Sequence, residues 1–95
     1  MHNLTNVGRT CLITGVAGFI GSYVGNALLQ QGYDVVGIDN MNKYYDVKLK
    51  YDRLKQLKAS QRFTFIEGDI SNKDLVFNIF KSFKPFVVIN LAAQA

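Results

Sequence analysis

The 95-residue sequence predicts an α/β fold built on a doubly wound, parallel β-sheet. Four short runs rich in β-branched and aromatic residues alternate with three longer segments of helical period, which gives the order β-α-β-α-β-α-β. Glycines at positions 15, 18 and 21 follow directly after the first strand-like run. Hydrophobic residues make up 48% of the chain, so we expect one small domain with a packed core.

The first two strands flank the glycine-rich turn and the first helix. The strands are predicted over residues Thr10–Thr14 and Asp34–Ile38. Gly32 stands where the C-terminal cap of the helix between them belongs. Four apolar residues with helical spacing are expected on one face of that helix: Ile20, Val24, Ala27 and Leu28.

The second helix and the third strand follow a polar turn. The helical period runs from Val47 to about Lys58. Its apolar face is expected to contain Val47, Tyr51, Leu54 and Leu57. In the third run, residues 62–68, phenylalanines 63 and 65 alternate with their neighbours, which is typical of a strand near the edge of a sheet.

The third helix and the fourth strand complete the pattern. Ser71 is predicted to cap the helix, with Asp74 three residues later. Pro85 ends the helix, and residues 86–93 form a near-continuous apolar strand of the kind that is buried on both faces of a parallel sheet. The buried stripe of the helix is expected to contain Leu75, Val76, Ile79, Phe80 and Phe83.

Composition and charge narrow the classes of function. Cys11 is the single cysteine, so an internal disulfide and a cysteine-based zinc site are excluded, and no metal is expected. Because Cys11 lies in an apolar run, it is predicted to be a core residue. The net charge of +4 comes mostly from the lysine-rich second helix. That helix fits a solvated face better than a nucleic-acid surface, since base-stacking features are missing. Without a leader pattern or a spanning apolar run, a cytoplasmic protein with no membrane partner is expected.

The three glycines have the spacing G-x-x-G-x-x-G between a strand and a helix, as in a Rossmann-type dinucleotide-binding turn. At such a turn the first amides of the helix point outward unpaired, and the helix dipole favours a diphosphate. We expect Gly15 to make the sharp turn, Gly18 to let the backbone approach the phosphates, and Gly21 to let the helix pack closely. The alternative is a glycine-rich turn without a ligand.

Two aspartates follow the second and third strands. Asp39 lies close to the offset at which an acidic residue holds the adenosine ribose, and its charge would repel a 2′-phosphate, which favours NAD over NADP. Lys43 would partly offset that repulsion. Asp69 would accept a hydrogen bond from the adenine amino group, with Ile70 packed on the ring. The alternatives are a turn-forming aspartate at position 39 and a loop aspartate before the helix at position 69.

These motifs resemble the extended short-chain dehydrogenase/reductase superfamily, and within it the NAD-dependent nucleotide-sugar epimerases and dehydratases. The resemblance rests on "TGVAGFIGS" (14–22), "DN" (39–40), "GDI" (68–70) and "NLAAQA" (90–95). The run "DNMNKYYDVKLKYDRLKQL" is similar to the UDP-glucuronate 4-epimerase branch. The resemblance covers this whole chain but only the first third of a typical member. It therefore implies the N-terminal part of an NAD-binding domain, without the remaining strands and the substrate domain.

The resemblance also implies a set of cofactor contacts. The amides of Phe19 and Ile20 would face the pyrophosphate, residues 39–44 would surround the adenosine ribose, and residues 91–93 would pass under the nicotinamide-side ribose. Together with the glycines and aspartates above, the implied cofactor-binding residues are Gly15, Gly18, Phe19, Ile20, Gly21, Asp39, Asn40, Met41, Asn42, Lys43, Tyr44, Asp69, Ile70, Leu91, Ala92 and Ala93.

The implied reaction is C4 epimerisation of a nucleotide sugar: NAD oxidises C4, the 4-keto sugar rotates, and the hydride returns. The family's Tyr-x-x-x-Lys pair lies beyond residue 95, and Tyr44 and Lys48 have that spacing by coincidence. No catalytic residue is therefore assigned, and the chain alone is expected not to turn over UDP-sugars. Full-length members are implied to be homodimers. A 4,6-dehydratase, a reductase and a non-catalytic dinucleotide-binding module remain alternatives.

Overall fold

The structure of the chain is a computed structural model that describes residues 8–42 and 47–92. Strands and helices alternate in the predicted order. The elements are β1 (Thr10–Thr14), α1 (Phe19–Gln30), β2 (Asp34–Asp39), α2 (Val47–Lys58), β3 (Phe63–Glu67), α3 (Lys73–Phe83) and β4 (Val87–Asn90). Pro85 follows α3 as predicted, and Gly32, with φ of +97°, follows the end of α1. The predicted α/β fold is confirmed.

The four strands form one parallel sheet in the order β3-β2-β1-β4. β1 is flanked by β2 and β4, so that Cys11 pairs with Val35 on one side and Val87 on the other. The chain moves outward from β1 through β2 to β3 and then crosses to the opposite side of β1. The carboxyl ends of β1 and β4 therefore meet at the point where the strand order reverses, which is where open α/β sheets bind ligands.

Helices cover both faces of the sheet. On one face, α1 and α2 enclose a core that includes Ile13, Val35 and Leu57. On the other face, Ile79 of α3 packs with Leu12, Val36 and Ile38. Cys11 is buried in the sheet as predicted, and this burial raises the pKa of its thiol. No helix in the described ranges is long and apolar enough to cross a membrane.

The inward faces of α1 and α2 agree with the prediction in part, since Val24 and Leu28 pack against the core and Leu54 and Leu57 are buried in it. Ile20 is 62% exposed and Tyr51 54% exposed, so neither belongs to a buried stripe. The buried residues of α1 are instead small ones and a single leucine, namely Gly21, Ser22, Gly25 and Leu29. Close packing accounts for the small residues of α1, because a Cβ on Gly21 would enter the backbone of the turn and a Cβ on Gly25 would stand 3.2 Å from Leu57 Cδ2.

Asn72, not Ser71, caps α3. Its Oδ1 accepts a hydrogen bond from the Leu75 amide at 3.1 Å. The Ser71 amide donates instead to Asp69 Oδ1 at 2.9 Å, so Ser71 belongs to the turn before the helix. The helix therefore begins one residue later than predicted, with Asp74 in its first turn.

The two outer strands show how sheet order controls burial. β3 is an outer strand, as the alternation of its side chains predicted. β4 was expected to be buried on both faces, and this is wrong for the described chain: Val87 and Val88 are 38% and 43% exposed. The reason is position, since β4 forms the other edge of this sheet and α3 covers it only in part.

Candidate functional site

The turn between β1 and α1 is shaped by Gly15. Gly15 has φ of +75°, a conformation that favours glycine, and its amide donates to the Ile38 carbonyl at 2.8 Å. A Cβ on Gly15 would stand 2.8 Å from the backbone of Leu91 and Ala92. The predicted sharp turn is therefore present, and it also lets the segment after β4 approach the turn directly.

Gly21 lets α1 approach the same turn. A Cβ on Gly21 would stand 2.9 Å from the Gly15 carbonyl carbon, and nearer still to its oxygen. The close packing predicted for this glycine is present, and it is against the backbone of the turn. Gly15 and Gly21 are thus both required by contacts within the chain.

Gly18 differs from the other two glycines because a Cβ there would have a single close neighbour. It is the N-cap of α1 with φ of −71°, and a Cβ there would meet only the Gly15 oxygen, at 3.3 Å. No side chain caps the helix, and the next two residues, Phe19 and Ile20, are exposed. The first amides of a helix lack intrahelical partners and carry the positive end of its dipole. The bare N-terminus of α1 can therefore accept an anion against the main chain.

Asp39 is buried at the carboxyl end of β2 and is bonded to the turn. Its Oδ2 accepts from the Ala17 amide at 3.0 Å, and its Oδ1 accepts from the Met41 amide at 2.8 Å. Lys50 Nζ lies 3.0 Å from the same Oδ1. Asp39 thus holds the glycine-rich turn, and it keeps part of its acceptor capacity because a carboxylate has about four acceptor positions.

Two cations of α2 that were not among the predicted site residues contact this region. Lys50 pairs with Asp39, and Arg53 Nη1 donates to the Ala17 carbonyl at 3.3 Å. The Arg53 guanidinium also lies 5.9 Å from the centre of the Phe19 ring. The spacing of Lys50 with Leu54 and Leu57, at i, i+4 and i+7, was the available signal, since it places this lysine on the buried face of α2.

Thr14 joins the ends of β1 and β4. Its hydroxyl donates to Asn90 Oδ1 and accepts from the amides of Leu91 at 3.1 Å and Ala92 at 3.3 Å. Thr14 and Asn90 lie 76 positions apart in the chain, so this pairing has no local signal in the sequence. These contacts position Leu91 and Ala92 beside the glycine-rich turn.

Asp69 and Ile70 lie beyond β3 and differ in exposure. Asp69 is exposed, and hydrogen bonds from the backbone and side chain of Ser71 lower its pKa. Ile70 is half-buried and lines a groove of about 170 Å³ that also reaches Thr14, Ile38 and Asn90. Ile70 is therefore near the carboxyl ends of β1 and β4, whereas the Asp69 side chain bonds its own loop.

The remaining predicted residues follow β2 and β4. Asn40 is exposed, and its Oδ1 accepts from the Asn42 amide at 3.0 Å. Met41 is buried, with φ of +55°. Lys43, Tyr44 and Ala93 lie outside the described residues. Within the described ranges, no three His, Cys, Asp or Glu side chains group as metal ligands.

Comparison with known proteins identifies the family. The sequence model described as GDP-mannose 4,6 dehydratase matches residues 12–95. The UDP-glucuronate 4-epimerase of Thermodesulfobacterium geofontis is 51% identical over 84 residues, which are 88% of this chain and 26% of that protein. UDP-glucuronate 4-epimerase 4 of Arabidopsis thaliana is 46% identical over 91 residues, 96% of this chain and 21% of that protein.

A solved structure gives the same result. The crystal structure of UDP-glucuronic acid 4-epimerase from Bacillus cereus in complex with NAD aligns with a TM-score of 0.79 at 40% identity, over 92% of this chain and 28% of that one. This chain spans about a quarter of the length of the relatives it matches. The resemblance to nucleotide-sugar epimerases and dehydratases is confirmed, and the chain belongs to the GDP-mannose 4,6-dehydratase family.

Proposed function

We propose that residues 1–95 are the NAD-binding N-terminal segment of a nucleotide-sugar 4-epimerase that acts on UDP-glucuronate or a related UDP-sugar. The observation that carries the proposal is the bare N-terminus of α1 beside a buried carboxylate, Asp39. The relatives support the choice of reaction, since those at 51% and 46% identity are UDP-glucuronate 4-epimerases.

The diphosphate of NAD fits the turn after β1. Gly18 presents no side chain there, and the amides of Phe19 and Ile20 stand at the positive end of the α1 dipole. Gly15 and Gly21 keep the turn and the helix in the geometry that exposes these amides. In this proposal Gly18 gives the room for close approach and its two neighbours give the hydrogen bonds.

The adenosine half of NAD fits the ends of β2 and β3. Asp39 would accept from a ribose hydroxyl through its remaining acceptor capacity. Ile70 would pack on the adenine ring, and Asp69 would accept from its amino group. Residues 40–44 would surround the ribose and its phosphate, and residues 91–93 would lie under the nicotinamide-side ribose.

In the proposed reaction the bound NAD supplies hydride transfer to and from C4 of the sugar. The part played by this chain is to bind and orient. The contacts of Thr14 with Leu91 and Ala92 hold the segment after β4 against the glycine-rich turn. These contacts fix the spacing between the segment and the turn, which form two sides of the proposed cofactor site. The acid–base residues are assigned to the rest of the protein, which we propose to be a cytoplasmic homodimer.

A second candidate is a nucleotide-sugar 4,6-dehydratase, because the matching family is described by that activity. Both candidates use this segment to bind the same cofactor. They are distinguished by the product that the complete protein makes from a UDP- or dTDP-sugar: a C4 epimer or a 4-keto-6-deoxy sugar.

Titration of the chain with NAD⁺ by isothermal calorimetry tests the binding proposal. We expect saturable binding that weakens by about tenfold or more, or about 1.4 kcal/mol, in Gly18→Val. The control Ala59→Val adds apolar bulk at an exposed position just after the end of α2 and should bind as the unsubstituted chain does. Absence of NAD⁺ binding by the unsubstituted chain, or unchanged binding by Gly18→Val, contradicts the proposal.

A further inference from the structure

The pair formed by Lys50 and Asp39 is almost withdrawn from water. Lys50 Nζ lies 3.0 Å from Asp39 Oδ1, and the two side chains are 12% and 4% exposed. Ion pairs at the surface are screened and contribute little, whereas charges in a buried pair interact strongly. The carboxylate at the end of β2 is therefore electrically compensated within the chain.

Hydrogen-bond capacity remains on both members of the pair. Asp39 accepts from the amides of Ala17 and Met41 and from Lys50, which are three of about four acceptor positions. An ammonium group has three donors, and Asp39 uses one of those of Lys50. A ligand hydroxyl bonded to Asp39 would thus lie within about 6 Å of the Lys50 nitrogen, the span of two hydrogen bonds.

Compensation changes what the aspartate does to a ligand. An isolated carboxylate would repel a phosphate on the neighbouring ribose oxygen, whereas a carboxylate paired with an ammonium presents almost no net charge at that distance. We propose that Lys50 is a specificity-determining residue of the cofactor site, which reduces the discrimination of Asp39 against a 2′-phosphorylated dinucleotide. This inference rests on the proposed binding of NAD.

The position of Lys50 on α2 separates it from the other lysines of that helix. Lys50 shares the inward face with Leu54 and Leu57, whereas Lys48, Lys55 and Lys58 are exposed. Lys55 therefore offers a matched control, since its substitution removes the same charge from the same helix without touching Asp39.

The test is the ratio of the dissociation constants for NADP⁺ and NAD⁺, measured by calorimetric titration. In Lys50→Met we expect this ratio to rise by about tenfold or more, because the 2′-phosphate then faces an uncompensated carboxylate. Lys50→Arg should keep the ratio within about threefold of the unsubstituted chain, and Lys55→Met should leave it unchanged. A change in packing alone would weaken both ligands together and leave the ratio where it was.

A double-mutant cycle keeps the inference testable if Lys50→Met does not fold. Asp39→Asn leaves Lys50 as a net positive charge, so the ratio should fall by about tenfold or more in favour of NADP⁺. Adding Lys50→Met to Asp39→Asn removes both charges and should cancel that fall.

Three results would overturn the inference. If Lys50→Met folds and leaves the ratio unchanged, Lys50 does not set specificity, although binding of NAD⁺ still supports the proposed function. If the ratio stays as low in the Asp39→Asn, Lys50→Met double variant as in Asp39→Asn alone, Lys50 again does not set specificity. If the unsubstituted chain binds neither dinucleotide, the proposed function fails, and this inference fails with it.

Discussion

Asp39 ends β2 and Asp69 follows the neighbouring β3; both were predicted to contact the cofactor, yet the chain uses them differently. Asp39 is buried and bonded to the glycine-rich turn, to the amide of Met41 and to Lys50. Asp69 is exposed and bonds to Ser71, two residues away. One aspartate thus connects β2, the turn and α2, whereas the side-chain hydrogen bonds of the other within the chain stay in its own loop. Sequence position at the end of a strand does not distinguish these two roles.

Asp39→Ala is expected to cause the largest loss of stability. The substitution removes the acceptor of three hydrogen bonds and leaves the Lys50 ammonium buried without its partner, which typically costs about 3–5 kcal/mol. Urea unfolding followed by circular dichroism measures the loss. Adding Lys50→Met should recover part of it, because the unpaired charge is then removed. A loss below about 1 kcal/mol for Asp39→Ala would show that these bonds do not hold the turn.

The same contrast between internal and outward roles extends to the glycines at positions 21 and 18. A Cβ on Gly21 would enter the backbone of the turn, so Gly21→Ala should cost about 1–3 kcal/mol of unfolding free energy. Gly18→Ala adds one contact at 3.3 Å and should change stability by less than about 1 kcal/mol, while it weakens NAD⁺ binding. Urea unfolding and calorimetric titration of the two variants measure the two effects. Equal stability losses would contradict the assignment of Gly18 to the ligand.

Substitution of Asp69 is expected to give the smallest change in stability. That change should depend on pH. Because hydrogen bonds from Ser71 lower the pKa of Asp69 in the folded chain, its contribution is present above the unfolded pKa and is lost as the pH falls through the lower folded pKa. The stability difference between the unsubstituted chain and Asp69→Asn should therefore be small at neutral pH and shrink below about pH 4. Urea midpoints measured from pH 7 to pH 3 test this. A difference that grows on acidification would contradict the direction of the shift.

Local features of the sequence were enough to predict the elements. The range of α2, the sharp turn at Gly15 and the alternation in β3 all agree with the prediction, because hydrophobic period and glycine conformation act within a few residues. The cap of α3 was wrong by one residue, because Ser71 and Asn72 are both good caps and the bond from the Ser71 amide to Asp69 decides between them.

By itself the sequence determined the strand–helix order, the glycine-rich turn and the two aspartates beside it, since each depends on neighbours in the chain. Only the tertiary structure decided which groups meet there. Lys50 reaches Asp39 across 11 positions and Thr14 reaches Asn90 across 76. The tertiary structure also decided that the glycines of α1 face inward and that Ile20 faces outward. The reason is that α1 contacts the main chain of the turn directly, which leaves no room for a side chain between them. Such contacts depend on how the elements pack: a local pattern can place Lys50 on the buried face of α2, but it does not specify Asp39 as the partner.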